Sequence, residues 1–208
     1  MLLKWRHAGQ ACITANRVYV QKGIYSQFAQ LIKDRTSKLI IGHGSDSRTT
    51  IGPVTTERSL DKASAQVADA VKLGGQIILG GGKVTSSTAN GKESSGYFFQ
   101  PTIITGATEE MQITREETFA PVMALYEFET EEEAVKAAND TAMGLASYFF
   151  TKNVDRVWRL YENLEAGMIG MNTGEFPFCE YPPIDKRFKR RLEGRMLGSD
   201  VDADWVLI

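Results

Sequence analysis

The chain has 208 residues, 42% of them hydrophobic and 24% charged, with a net charge of −2. That composition suits a soluble globular protein with one or two cores, and its balanced charge argues against a nucleic-acid or membrane-surface partner. No apolar run approaches the roughly 20 residues of a membrane span, and MLLKWRHAGQ turns polar too early for a signal peptide. Two cysteines, Cys12 and Cys179, make no disulfide framework and point to a reducing compartment, the cytoplasm or a mitochondrion. The only histidines, His7 and His43, fit no metal-ligand spacing with them.

In chain order, Arg17–Gln21 is β-branched and aromatic and ends at Gly23, which predicts a strand. Phe28, Leu31 and Ile32 recur at helical spacing between Ile24 and Leu39. Gly42 to Pro53 is a polar loop, after which Thr55 or Thr56 caps a helix running to about Leu73, stopped by Gly74-Gly75. Gln76–Leu79 reads as a short buried strand, and Gly80 to Ser95 as glycine-rich and polar exposed turns. Strand pieces follow at 97–99, 102–104 and 123–128. Thr130 with Glu131–Glu133 marks the start of a helix to about Asn139, because carboxylates are favoured near the positive end of the helix dipole. A strand from Gly144 to Phe150, a helix over 154–164 and a strand over 168–171 complete the pattern. Alternating strands and helices predict an α/β fold: a mainly parallel sheet with helices on both faces. From Glu175 to Ile208 no clean period exists; prolines cluster between Pro177 and Pro183, and Lys186–Arg191 is a basic run suited to a solvated face.

Cys12 is the first candidate for chemistry. A nucleophilic thiol needs access, hydrogen-bond donors and a route to thiolate. Gly9, Ala11 and Ala15 leave the backbone around it uncrowded, and Asn16 offers a side-chain amide to an oxyanion. The ordinary alternative is a small buried hydrophobe, the role of most free cysteines.

The segment GQACITANRVYVQ resembles the active-site signature of the aldehyde dehydrogenase superfamily, in which a G-Q-x-C run holds the catalytic cysteine. Five more segments resemble family landmarks in the same order: GPV at 52–54, GYFFQPT at 96–102, REETFAPV at 115–122, TEEEAVKAANDTAMGLASYFFT at 130–151 and LEAGMIGMNTG at 164–174. The resemblance implies that Cys12 attacks an aldehyde to give a thiohemiacetal, that hydride passes to NAD or NADP, and that water hydrolyses the thioester. It implies that the Cys12 backbone N–H forms half of an oxyanion hole. It also implies that Glu117 and Phe119, in an E-x-F pattern, bind the nicotinamide ribose and ring; otherwise a capping glutamate and a core phenylalanine are the ordinary roles for such residues. Arg6, six residues before Cys12, matches the arginine that succinate-semialdehyde members use for the substrate's distal carboxylate, which a guanidinium grips with two parallel hydrogen bonds. A surface charge is its ordinary alternative. That branch often carries a second cysteine two positions after the nucleophile, where this chain has Thr14.

Full-length members are far longer and place the cysteine past their midpoint. By that comparison residues 1–173 form part of a catalytic domain, without the N-terminal dinucleotide-binding domain or the glutamate that relatives use as general base. Residues 174–208 form an atypical tail: after Asn172-Thr173-Gly174 relatives read P-F-G-G-x-K-x-S-G, and this chain does not. A one-base shift through FKRRLEGR, with suitable codons, reads SKEGSKEG, close to the family's K-E-G-S-K, so a frameshift or misjoined exon would account for the tail. The expectation is an oxidoreductase weakly active or inactive alone, and homo-oligomeric or paired with full-length subunits. The rival readings are a non-catalytic fragment or a broad-specificity aldehyde dehydrogenase.

Overall fold

The computed structural model describes residues 2–87, 93–173 and 205–207. Cys179, the proline cluster and the basic run lie outside the described residues. The chain opens with a short helix, α1 (Leu2–Trp5), and a 3₁₀ turn, then continues through β1 (Arg17–Gln21), α2 (Tyr25–Thr36), α3 (Glu57–Lys72), β2 (Gln76–Leu79), β3 (Lys83–Ser87) and β4 (Glu93–Phe99). It ends with β5 (Thr102–Thr105), α4 (Gln112–Arg115), β6 (Val122–Phe128), α5 (Glu131–Asn139), β7 (Ala146–Phe149), α6 (Val154–Asn163), β8 (Met168–Met171) and β9 (Trp205–Leu207).

Seven strands form one sheet in the order β2-β5-β6-β1-β9-β7-β8. Every pairing in it is parallel except β2 with β5. The predicted α/β architecture is therefore present. The turn expected across Thr85–Ser95 needs correction at its flanks, because β3 and β4 pair there as an antiparallel ribbon. The polar composition that suggested a turn is compatible with a strand pair outside the main sheet, where few side chains need burial.

Alternation along the strands builds two cores. On β6, Val122, Ala124, Tyr126 and Phe128 join one buried cluster, and Met123 and Leu125 join the other. Side chains of period 2 point to opposite faces, so the clusters cover the two sides of the sheet. Leu60, Ala63, Val67 and Ala70 of α3 and Ala134 and Ala138 of α5 fill the first; Ala29 and Ile32 of α2 with Trp5 fill the second.

Helix starts follow their caps. Thr56 Oγ1 accepts from Ser59 N–H at 3.2 Å, and Thr130 Oγ1 from Glu133 N–H at 3.2 Å, while Glu133 Oε2 accepts from Glu129 N–H at 2.9 Å. At the far end of α5, the buried Arg17 guanidinium donates to the carbonyls of Ala137 and Ala138, each at 3.4 Å. A cation there satisfies orphan carbonyls and complements the helix dipole, locking β1 to α5.

No strand was expected beyond Met171, yet β9 lies between β1 and β7 and hydrogen-bonds to both. Trimming residues 205–208 is expected to leave both neighbours with an unpaired edge. Urea unfolding should show a loss at least as large as that of Leu125→Ala, about 2–5 kcal/mol for a fully buried leucine.

Candidate functional site

The site forms where the segments preceding β1 and β6 meet. These strands are adjacent and parallel, with Arg17 opposite Ala124, so the two segments emerge side by side at the amino edge of the sheet. Upstream of β1, His7, Ala8 and Gly9 adopt left-handed backbone in succession, with φ of 49°, 55° and 77°. Non-glycine residues there cost of order 1–3 kcal/mol each, so the surroundings must hold them in place. A Cβ on Gly9 would lie 2.2 Å from the Ala120 carbonyl oxygen, so glycine is required for the two backbones to approach. Gln10 uses both ends of its amide: Nε2 donates to the carbonyls of His7 (2.9 Å) and Pro53 (3.2 Å), and Oε1 accepts from Thr55 N–H (2.8 Å). The Gly-Gln of the cysteine motif thus fastens the turn to the 117–120 loop on one side and to the 52–55 loop on the other.

Cys12 occupies the tip of the next turn, closed by Thr14 N–H donating to the Ala11 carbonyl at 2.8 Å. Its thiol is free and exposed, which removes the buried-hydrophobe alternative. Behind it, Ala15 N–H donates to the Leu3 carbonyl at 2.9 Å, folding the segment back on α1.

Glu117 and Phe119 lie on the loop between α4 and β6, both half-buried, with Thr118 buried between them. Phe119 has φ 46°, a strained value for an aromatic residue. Gln66 Nε2 of α3 donates to the Glu116 carbonyl at 3.2 Å and holds this loop from behind. Glu117 follows the end of α4 rather than capping a helix start, and Phe119 is only partly buried.

Two residues that sequence reasoning passed over join the site. Lys4 is fully buried, and its Nζ donates to Asn16 Oδ1 at 3.3 Å. Burial brings its pKa down to about 7, with the Glu117 charge opposing the shift. Asn16 is 4% exposed and engaged with this lysine. The carbonyl end of its amide is thus engaged at the α1 junction. Tyr148 of β7 is also fully buried, and its hydroxyl donates to the Ile13 carbonyl at 2.9 Å. Burial raises its pKa, Arg6 opposes that rise and Cys12 adds to it, so Arg6 and Cys12 both lie within electrostatic reach of one phenol. Arg6 is half-buried in the 3₁₀ turn between α1 and Cys12. The fold therefore gathers Arg6 and Cys12 about Tyr148, and brings the Glu117–Phe119 loop against Gly9.

An α/β sheet with an exposed thiol on a strained turn, an arginine in electrostatic range and a carboxylate–aromatic pair on the facing loop defines a class suited to thiol-based chemistry on a small electrophile. Residues 2–182 match the Aldehyde dehydrogenase family, and the chain belongs to that family. It is 44% identical over 174 residues to "Succinate-semialdehyde dehydrogenase [NADP(+)] 1" of Schizosaccharomyces pombe, covering 84% of this chain and 34% of that protein. It is 42% identical over 173 residues to "3-sulfolactaldehyde dehydrogenase" of Pseudomonas putida, covering 83% and 34%. The crystal structure of an aldehyde dehydrogenase from Brucella melitensis biovar abortus 2308 superposes with a TM-score of 0.79 at 42% identity, over 85% of this chain and 35% of that one. The chain thus spans about a third of the length of these relatives.

Lys4 has a measurable signature. Its folded pKa of about 7 lies below the unfolded value of 10.5, so between those limits the unfolded chain binds more protons. Stability attributable to Lys4 therefore rises with pH in that window, and the cost of burying its charge is present in full below pH 7. Urea unfolding at pH 7, 8 and 9 should show the native chain gaining on Lys4→Met by roughly 1 kcal/mol per pH unit.

Proposed function

We propose that residues 1–173 are the catalytic portion of an NAD(P)-dependent aldehyde dehydrogenase acting on aldehydes with a distal anionic group, succinate semialdehyde foremost. The observation that carries this reading is the exposed Cys12 thiol on a left-handed turn lodged against the Glu117–Ala120 loop. As thiolate, Cys12 Sγ adds to the carbonyl carbon; the carbonyl electron pair moves to oxygen, which takes a proton to give a thiohemiacetal. Backbone N–H groups of a rigid turn suit that oxygen because they need no reorganisation as charge develops.

The residues present fit a nicotinamide cofactor. The half-buried Glu117 carboxylate can accept from ribose hydroxyls, and the half-buried Phe119 ring, two residues on, offers an apolar face to a planar heterocycle. Bound there, the cofactor supplies the hydride acceptor. The chain's own contribution is to hold these groups beside the nucleophile and to orient the substrate.

Arg6 supplies the substrate class. Succinate semialdehyde and 3-sulfolactaldehyde, after which two relatives are named, both carry an anion a few bonds from the aldehyde. A guanidinium serves carboxylate or sulfonate by paired, charge-assisted hydrogen bonds.

Alkylation of the 208-residue chain followed by mass mapping tests the nucleophile. Iodoacetamide should label Cys12, succinate semialdehyde should slow that labelling reversibly, and Cys12→Ser should remove it. Unimpeded labelling at saturating aldehyde would refute the assignment. For the arginine, the rate with 3-iodopropionate divided by that with 3-iodopropionamide should fall about fivefold in Arg6→Ala, the effect of losing roughly 1 kcal/mol.

A further inference from the structure

Cys12 and Arg6 sit on one loop, and loops of this kind tolerate movement. If a substrate is gripped at one end and attacked at the other, the distance between those groups sets which chain length fits. We propose that Tyr148 is a positioning residue that sets this spacing, by fixing the backbone next to the nucleophile to strand β7. The proposal rests on the roles assigned above to Cys12 and Arg6.

The geometry supports it at three points. The phenol hydroxyl donates to the carbonyl of Ile13, the residue that follows Cys12, at 2.9 Å and across 135 positions of sequence. That bond ties the tip of the turn to a strand that belongs to neither loop of the site. The ring itself has little freedom: it is fully buried in the cluster containing Trp5, Ala15, Val18 and Met123. Opposite it in the parallel register is Gly170, where a Cβ would come within 2.7 Å of the Tyr148 ring. The seat for the ring therefore depends on a missing side chain on β8.

Arg6 and Cys12 both act on the phenol electrostatically, so both ends of the proposed substrate site are within reach of the anchor. The turn's other fasteners, Gln10 to the 53–55 loop and Ala15 to Leu3, hold its base. The Tyr148 hydroxyl holds the turn from its other end, at the Ile13 carbonyl.

The test compares alkylating acids of two lengths in the intact chain. For iodoacetate and 3-iodopropionate, each rate at Cys12 is divided by the rate with the matching amide, which cancels intrinsic reactivity and thiol exposure. In the native chain the ratio should be several-fold higher for the longer acid. Tyr148→Phe keeps the ring and removes only the donor; the two ratios should converge to within about twofold, while the thermal midpoint of unfolding stays far closer to native than the change in ratio would suggest. Gly170→Ala, which displaces the ring without altering its hydroxyl, should give the same convergence. A residue of purely structural importance would alter overall rate or stability and leave the length preference intact; that result in both variants overturns the proposal. Absence of any acid preference in the native chain would instead refute the arginine assignment on which it rests.

Discussion

The parallel pairing of β1 with β6 is the constraint from which the site follows. Because the strands run in the same direction with Arg17 opposite Ala124, the segments preceding both are delivered to the same edge of the sheet. Gly9 then meets the Ala120 carbonyl at a distance no side chain would allow. Open α/β sheets usually place ligands beyond the carboxyl ends of their strands. Here the working residues gather at the amino ends, since the strained turns lie before β1 and β6.

That arrangement concentrates cost and compensation in one place. His7, Ala8 and Phe119 all carry positive φ, on the two segments that meet where Gly9 approaches Ala120. Hydrogen bonds hold the strain: Gln10 reaches to the loop at 53–55, and Gln66 of α3, Lys4 of α1 and Tyr148 of β7 reach in from their own elements. Each involves a different element, so the site is fastened from several sides. Cys12 is held this way while its thiol stays open to solvent.

Much was readable before any coordinates. The cap at Thr55 or Thr56 with the Gly74-Gly75 stop predicted a helix between them, and the apolar run at 123–128 a strand; the structure has both elements within a residue or two. Cys12, Arg6, Glu117 and Phe119 were legible through their resemblance to family motifs. Less legible were β3 and the polar first half of β4, ahead of the strand piece expected at 97–99, and β9, three residues long in a tail without periodicity. Lys4 and Tyr148 escaped for another reason. A lysine before a tryptophan and a tyrosine in an apolar strand look like a surface charge and a core filler, and nothing local announces that both hydroxyl and ammonium bond to the nucleophile segment.

The amino-acid sequence by itself determined the α/β class, a helix start at Thr55 or Thr56 and another at Thr130, and the chemical identity of the thiol, guanidinium and carboxylate, because those depend on side-chain periodicity and local hydrogen bonding. Only the tertiary structure decided that Asn16 faces inward to Lys4, that Gly9 is needed for contact with Ala120, and that Tyr148 reaches Ile13. The last two depend on sheet order and register, which bring residues more than a hundred positions apart into contact, and no short-range pattern encodes such distances.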